Sequence, residues 1–447
     1  MSDLLAVGAT GVRAYQTALS TVSDNIANAG TAGYTRRTTT LREVTSISAR
    51  AAISAQTGNG VRVATIDRQA DDLRAAAVRT AGSDLAKTQT SITWLEAVEG
   101  ALSQNTLGDS LTAFYNSAKA VSADPTASVP RAAFIEAGVT VANAFKVTGA
   151  ALDTAAGDLG VQVQSAVQQL NGLADSLGKV NDGLGRVQPG TAAAAQLLDQ
   201  RDQLLEQIGA LSNVSVATDD IGRVTVRLGD ATGPVLLSGD VPGYVSYSLS
   251  ASGAVSYAVS RNGAVSALTP TGGALAGIAD GAQRIADARL ALDQIATDFT
   301  TSVNTVQTSG RDLDGIAGTP LFTTGADPTD ISVAITDPRK IAAAAVGGGP
   351  RDNSNIASLE TARSSAGVES RLTLLISSNA STLAARRQVA DAQTTIRDGA
   401  VAARDTQSGV NLDNEAVDLM RYQQAYQASS RVIQAAQDIF NTLLNLR

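Results

Sequence analysis

Ser176-Leu-Gly-Lys179 has the spacing of a serine nucleophile beside a lysine base, and Asp312-Leu-Asp314-Gly315 has the opening of a calcium loop. Neither pattern is completed. The Ser-Asp-Asn and Lys-Thr-Gly companions of the first occur nowhere, and the later ligand positions and closing glutamate of the second are missing, so a helix face and a plain turn are the expected structures. Gly172 to Lys179 has the wrong glycine spacing for a phosphate loop, and Val180 stands where a hydroxyl is needed. The neighbouring carboxylates Asp71-Asp72 and Asp219-Asp220 point apart in a helix or strand and cannot cooperate as acid and base. With no histidine and no cysteine in 447 residues, the commonest general base, the usual transition-metal ligands and any disulfide are absent. No catalytic, cofactor-binding or metal residue is expected, and the chain reads as no enzyme.

Two apolar repeats, in contrast, are long and regular. Leu5, Val12, Leu19 and Ile26 recur every seven residues near the N-terminus, as do Leu412, Leu419, Tyr426, Ile433 and Phe440 near the C-terminus. A seven-residue repeat stays on one helix face only if the helix winds slightly around a partner. The two ends are therefore expected to pair as a coiled coil. Five buried side chains contribute at most roughly 10 kcal/mol at about 2 each, against about 1 to 2 kcal/mol per residue to order a helix before hydrogen bonding compensates. Such a pair is marginal alone, and neighbouring subunits are expected to complete it.

The elements between follow from period and punctuation. A first helix is expected over 3–28, then an extended hairpin-like link over 38–67 with Gly58-Asn59-Gly60 at a turn. Helical periodicity runs from Asp71 to Leu211, interrupted at Asp124-Pro125 and Gln188-Pro189-Gly190. From Asn213 the period falls to two, with Ser252-Gly253 and Asn262-Gly263 where hairpin turns belong. Helix returns from Gly277 to Val306, a short strand is expected at 331–335, and Gly347-Gly-Gly-Pro350 makes a joint before helix resumes near Ile356. A break near Gly409 precedes the last helix.

The expected fold is thus mainly α with an inserted β module: paired terminal helices, a long antiparallel helical bundle and a small antiparallel β domain in the middle. The expected boundaries are 1–45 with 405–447 for the terminal core, 46–211 with 273–310 and 350–404 for the bundle, and 212–272 with 311–349 for an outer β-rich domain. A formal net charge of −8 and a pI near 4.8 argue against nucleic acid and anionic membrane surfaces. No apolar run is long enough to span a bilayer, and the N-terminus lacks the pattern of a cleaved secretory signal.

Ala18-Leu19-x-x-x-Ser23-x-Asn25-Ile26-Ala27-Asn28-x-x-Thr31-x-Gly33-Tyr34 resembles the N-terminal signature of bacterial flagellar rod, hook and hook-associated proteins. Asn25 and Asn28 join the seam residues as expected interface positions, and the Gly33 turn is expected to reverse the chain. The segment from Ser408 through Arg421-Tyr-Gln-Gln424 to Asn445 is similar to the same axial family, with Asn411 placed as an N-cap and Asp413 and Glu415 in the first turn. The stretch from Leu292 to Phe322 resembles the hook-associated branch rather than hook protein. The family often carries histidine where Gln307 stands.

The resemblance implies a structural adaptor between hook and filament, with hook protein or another axial subunit as the alternative. It further implies export through the flagellar type III channel without a cleaved signal, an export chaperone at the C-terminal seam, and assembly outside the cell. The implied partners are hook protein, a second hook-associated protein and copies of the chain itself.

Overall fold

The computed structural model describes residues 2–31, 33–44, 60–103 and 106–445. Helix α1 (Ser2–Ala27) leads into a hairpin of β1 (Arg37–Glu43) and β2 (Val61–Arg68), whose ladder carries an irregularity between Thr40 and Leu41. Gly60 accepts a ladder bond from the Val44 amide, while Gly58 and Asn59 of the expected turn lie outside the described residues. Four helices follow: α2 (Asp72–Ser103), α3 (Leu107–Ala123), α4 (Ser128–Arg186) and α5 (Ala192–Leu211). The last two of their three breaks fall where Asp124-Pro125 and Pro189-Gly190 stand, and the first, between Ser103 and Leu107, is additional to the expected ones. At about 1.5 Å per residue α4 is about 88 Å long, and it is the spine on which α2, α3, α5 and the later β-bearing segments dock.

The β module consists of two sheets. One has the order β3 (Val214–Thr218), β4 (Val224–Leu228), β5 (Val235–Ser238) and β6 (Val241–Pro242); the other comprises β7 (Tyr244–Leu249), β8 (Val255–Arg261) and β9 (Ala264–Leu268). All their pairings are antiparallel. Asn262 and Gly263 both have positive φ, 51° and 80°, the conformation a two-residue hairpin turn requires. Helix α6 (Gly273–Ser309) begins earlier than its apolar period suggested. Next come β10 (Phe322–Thr324), β11 (Ile331–Val333) and one 3-10 turn at Pro338–Lys340. The chain closes with α7 (Ser354–Ala366), α8 (Val368–Ser408) and α9 (Leu412–Asn445). The break between α7 and α8 is additional to the expected ones; Gly367 makes it with φ of 58°, its amide donating to the Arg363 carbonyl.

With only six phenylalanines available, the core concentrates them. Phe114, Phe134, Phe145, Phe299 and Phe322 form one buried cluster with ring centroids 4.8 to 5.8 Å apart along its contacts. They come from α3, α4, α6 and β10, so this cluster fixes how those elements meet. Elsewhere small residues let helices approach closely. A Cβ at Gly281 of α6 would collide with the Trp94 ring of α2.

Buried side-chain amides dock the irregular and β segments onto helices. Asn171 of α4 donates to the Val245 carbonyl at 2.9 Å and accepts from the Val245 amide at 2.8 Å. Asn181 treats Val224 the same way, and Asn304 of α6 brackets Phe322. Gln307 donates to the Lys340 carbonyl at 2.9 Å and accepts from the Ala342 amide at 3.2 Å. Each amide presents the donor and acceptor of a missing neighbouring strand, satisfying groups that burial would otherwise leave unpaired. Gln307 is therefore a structural bracket.

Residues 212–272 and 311–349, grouped at first as one outer β-rich domain, dock on different stretches of α4. The β module meets it around Asn171 and Asn181. The second segment meets it around Gly138, whose neighbours are Phe322 and Val333, and around Arg131. The fully buried Arg131 guanidinium donates to the carbonyls of Pro125, Pro338 and Ile341.

Candidate assembly site

The residues of the incomplete chemical motifs take local structural roles. Ser176 donates to the Gly172 carbonyl along α4, and Asp312 closes a turn by accepting from the amides of Asp314 and Ile316. Asp71 caps α2 through the amides of Leu73 and Arg74, and Asp219 accepts from the amides of Ile221 and Arg223 in a loop. Among the described residues no group of three or more His, Cys, Asp or Glu is placed to hold a metal, and no helix is long and apolar enough to cross a membrane.

The terminal helices α1 and α9 lie antiparallel against each other. A Cβ at Gly8 would stand 2.7 Å from Ile433 Cγ1, one at Gly11 would stand 2.7 Å from Ser429 Oγ, and the Tyr15 and Tyr422 ring centroids are 6.4 Å apart. Asn25 meets Glu415 at the other end of the pair. The contacting face of α1 is Gly8, Gly11, Ala14, Ala18, Val22 and Asn25, all buried. This is one residue along from the expected Leu5, Val12, Leu19, Ile26 seam. On α9 the sites that face it include Glu415, Tyr422, Ser429, Ile433 and Ala436.

That displacement has a steric cause. Where Gly8, Gly11, Ala14 and Ala18 meet Ser429 and its neighbours the two backbones come close, and most of the larger side chains are displaced toward the flanks. Val12, Leu19, Leu419, Tyr426 and Ile433 are half-buried there, while Leu5 and Ile26 are exposed. Leu412 and Phe440 are each 54% exposed, Val417 59% and Met420 55%. The pair therefore keeps large apolar side chains exposed near both of its ends, Ile26, Leu412, Val417 and Met420 at one and Leu5 and Phe440 at the other. Phe440 is the one exposed phenylalanine, while the other five are buried.

A polar junction anchors the pair to the body. Asn25 uses its full hydrogen-bonding capacity: its amide donates to the Arg37 carbonyl at 2.8 Å and Glu415 Oε2 at 2.9 Å, and its oxygen accepts from the Arg37 amide at 3.0 Å and Tyr34 Oη at 2.8 Å. Glu415, equally buried, also accepts from Arg36 Nε at 2.6 Å. Arg37 continues the network to Asp199 of α5, which Arg68 of β2 shares. The Arg36 amide donates to the Ser408 carbonyl at the end of α8. Gly33, with φ of 77°, makes the reversal that puts Tyr34, Arg36 and Arg37 in place.

Asn28 and Asn411 act locally. Asn28 donates to the Asp24 carbonyl and accepts from Thr31, closing α1, and does not reach α9 in these hydrogen bonds. Asn411 caps α9 by accepting from the amides of Asp413 and Asn414. Glu415, expected to serve the helix dipole, instead closes the junction. The only sequence signal for that role is a carboxylate at a position whose helical neighbours face inward.

Burial pushes the Tyr34 hydroxyl up to about 12, with Asp24, Asp199 and Glu415 adding to the effect and Arg37, whose guanidinium carbon lies 4.9 Å from the ring centroid, opposing it. A folded-state value above the ordinary 10.0 means that the protonated ring's stabilisation is fully present below pH 10 and is lost as pH rises through 12. The difference in thermal midpoint between this chain and Tyr34→Phe is expected to shrink over that interval and stay constant below it.

The family described as flagellar hook-associated protein FlgK helical domain matches residues 93–322, slightly more than half of the chain. The flagella basal body rod protein family matches 5–35, and the C-terminal family of flagellar basal body rod FlgEFG proteins matches 404–446. Flagellar hook-associated protein 1 of Salmonella typhimurium is 26% identical over 334 residues, 73% of this chain and 60% of that protein. The protein of the same name from Bacillus subtilis is 26% identical over 216 residues, 47% of this chain and 43% of the relative. The chain thus spans less than two thirds of the length of these curated relatives. A solved structure, the flagellar hook junction protein FlgK from Burkholderia pseudomallei, matches with a TM-score of 0.50 at 20% identity, covering 56% of this chain and 47% of that one. A mainly helical body with inserted antiparallel strands, rod-family segments at both ends and the helical-domain match between them make this chain a member of the FlgK family of flagellar hook-associated proteins.

Proposed function

We propose that the chain is a structural adaptor joining the flagellar hook to the filament, exported through the type III channel and assembled outside the cell. The observation that carries this reading is the set of large apolar side chains, Leu5, Ile26, Leu412, Val417, Met420 and Phe440 among them, that the terminal helix pair leaves exposed. Apolar side chains of this size gain about 1.5 to 3 kcal/mol each on full burial and about half that from a half-covered start, so lateral packing of such pairs releases an amount comparable to what one pair holds internally. The rod-family matches at both ends support reading these exposed side chains as the surface where subunits of an axial tube meet.

In this reading residues 1–45 and 405–447 form the inner core of the tube, the helices of 46–211, 273–310 and 350–404 the next layer, and the β-bearing segments lie outside. The partners are hook protein on one side, a second hook-associated protein on the other and copies of the chain around the axis. An export chaperone shields the C-terminal apolar positions before assembly. Contacts that do not close on themselves propagate along a helical lattice, so an adaptor is distinguished from hook protein by where it stops. Immunolabelling of flagella is expected to give one band at the distal end of the hook; label along the whole hook would assign the chain to hook protein instead.

A further inference from the structure

The small-residue seam that joins α1 to α9 does not define how far one helix slides along the other. In the observed register Gly11 faces Ser429 and Gly8 faces Ile433. A slip of seven residues brings Ala436 to Gly11 and Ser429 to Ala18, again small against small. The aromatic pair of Tyr15 and Tyr422 lies on the margin at 6.4 Å and 34° between planes, a loose contact. Packing therefore separates the two alignments chiefly at Gly8, whose neighbour changes from Ile433 to Phe440, a small preference in a repeating pattern.

The polar junction is not repeated. In the slipped alignment Asn25 faces Tyr422, and Glu415 moves beyond the last turn of α1 at Ala27. Asn25 and Glu415 then lose each other and Arg36 loses Glu415, which strands buried or half-buried polar groups. A single buried polar position fixing the register of an apolar helix pair is a well-attested use of such groups. We infer that Asn25, Arg36 and Glu415 are the residues that set the register of the terminal pair, and thereby how the outward apolar side chains of α1 and α9 align along its axis. This goes beyond the adaptor reading and does not depend on it.

The absence of native cysteines makes the test clean. In the in-register pair Gly11→Cys with Ser429→Cys, a Cβ built at Gly11 lies 3.1 Å from Ser429 Cβ, slightly inside disulfide spacing, so a small parting of the helices suffices for a bond that replaces the Ser429 Oγ contact. The slipped pair Ala18→Cys with Ser429→Cys is displaced by seven residues, about 10 Å along the axis. The readout is the ratio of intrachain crosslinking for the two pairs in the full chain under brief oxidation, a ratio independent of what fraction of chains is paired. In the parent the in-register crosslink is expected to exceed the slipped one at least about tenfold. Adding Asn25→Leu with Glu415→Leu is expected to bring the two within about twofold of each other. Glu415→Gln, whose single oxygen keeps one of the two acceptor roles while its Nε2 faces the other donor, is expected to give a ratio between those of the parent and the double leucine variant.

A parent-like ratio in the double leucine variant would overturn the assignment, because packing would then suffice to set the register. Loss of both crosslinks in that variant would overturn it as well, since the three residues would be holding the pair folded rather than choosing its alignment. A slipped product in Glu415→Gln as strong as in the double variant would remove the hydrogen-bond basis of the inference.

Discussion

Gly11→Leu is expected to separate the terminal helices while leaving the body folded. A Cβ at this site meets Ser429 Oγ at 2.7 Å and Ser429 Cβ at 3.1 Å, and the longer side chain has only the α9 backbone behind them. Glycine in a helix interior costs about 0.5 to 1 kcal/mol relative to alanine, so removing it would stabilise α1 if close approach were irrelevant. Overpacking a tight contact costs about 1 to 3 kcal/mol, and the same clash arises at Gly8 against Ile433 Cγ1 at 2.7 Å and the Ser429 carbonyl at 3.3 Å. The control is Gly82→Ala on α2, where an added Cβ meets nothing within 4 Å and a gain of about 0.5 to 1 kcal/mol is expected. Limited proteolysis reads the difference: Gly11→Leu should speed cleavage in the first 30 and last 40 or so residues several-fold with the phenylalanine core unchanged, and a parent-like pattern would mean that the helices are not packed on this face.

The second large effect separates folding of the pair from its use. Val417→Asp with Phe440→Asp adds two charges to side chains that already face solvent at 59% and 54% exposure, so helicity and thermal midpoint should change little. Incorporation into flagella should nonetheless be abolished, because burying an unpaired carboxylate against apolar neighbours costs several kcal/mol per site. Leu419→Asp with Ile433→Asp is a less decisive variant, since both side chains are half-buried beside α1 and their substitution disturbs the pair itself. Motile cells with filaments attached through the doubly substituted Val417 and Phe440 chain would remove the outward face from the assembly reading.

Much of this architecture was legible in the residues. The Asp124-Pro125 and Pro189-Gly190 breaks, the Asn262-Gly263 turn and the change of period at Asn213 all fell where the structure has them, because proline, positive φ and alternating burial act locally. The α7–α8 break was missed because Gly367 is one glycine in an otherwise helical run. The contact face of α1 was read one residue off for a different reason: apolar periodicity selects the largest side chains, whereas a close helix pair puts its smallest ones at the contact. Glu415 looked like a dipole partner because its companions, Asn25 and Arg36, lie about 380 to 390 residues away in the chain. The amide brackets at Asn171, Asn181, Asn304 and Gln307 were equally hidden, since the backbone groups they satisfy belong to remote segments.

The central claim is that the outside of the α1–α9 pair is an uncovered apolar surface completed by neighbouring subunits. In a chain without cysteines, Phe440→Cys and Val417→Cys each provide one reporter on that surface. Maleimide labelling is expected to be fast in the purified chain and suppressed at least about tenfold in isolated hook–filament preparations, with an exposed body position such as Val161→Cys labelled in the free chain as the reference. Equal labelling of the two reporter thiols before and after assembly would contradict the account.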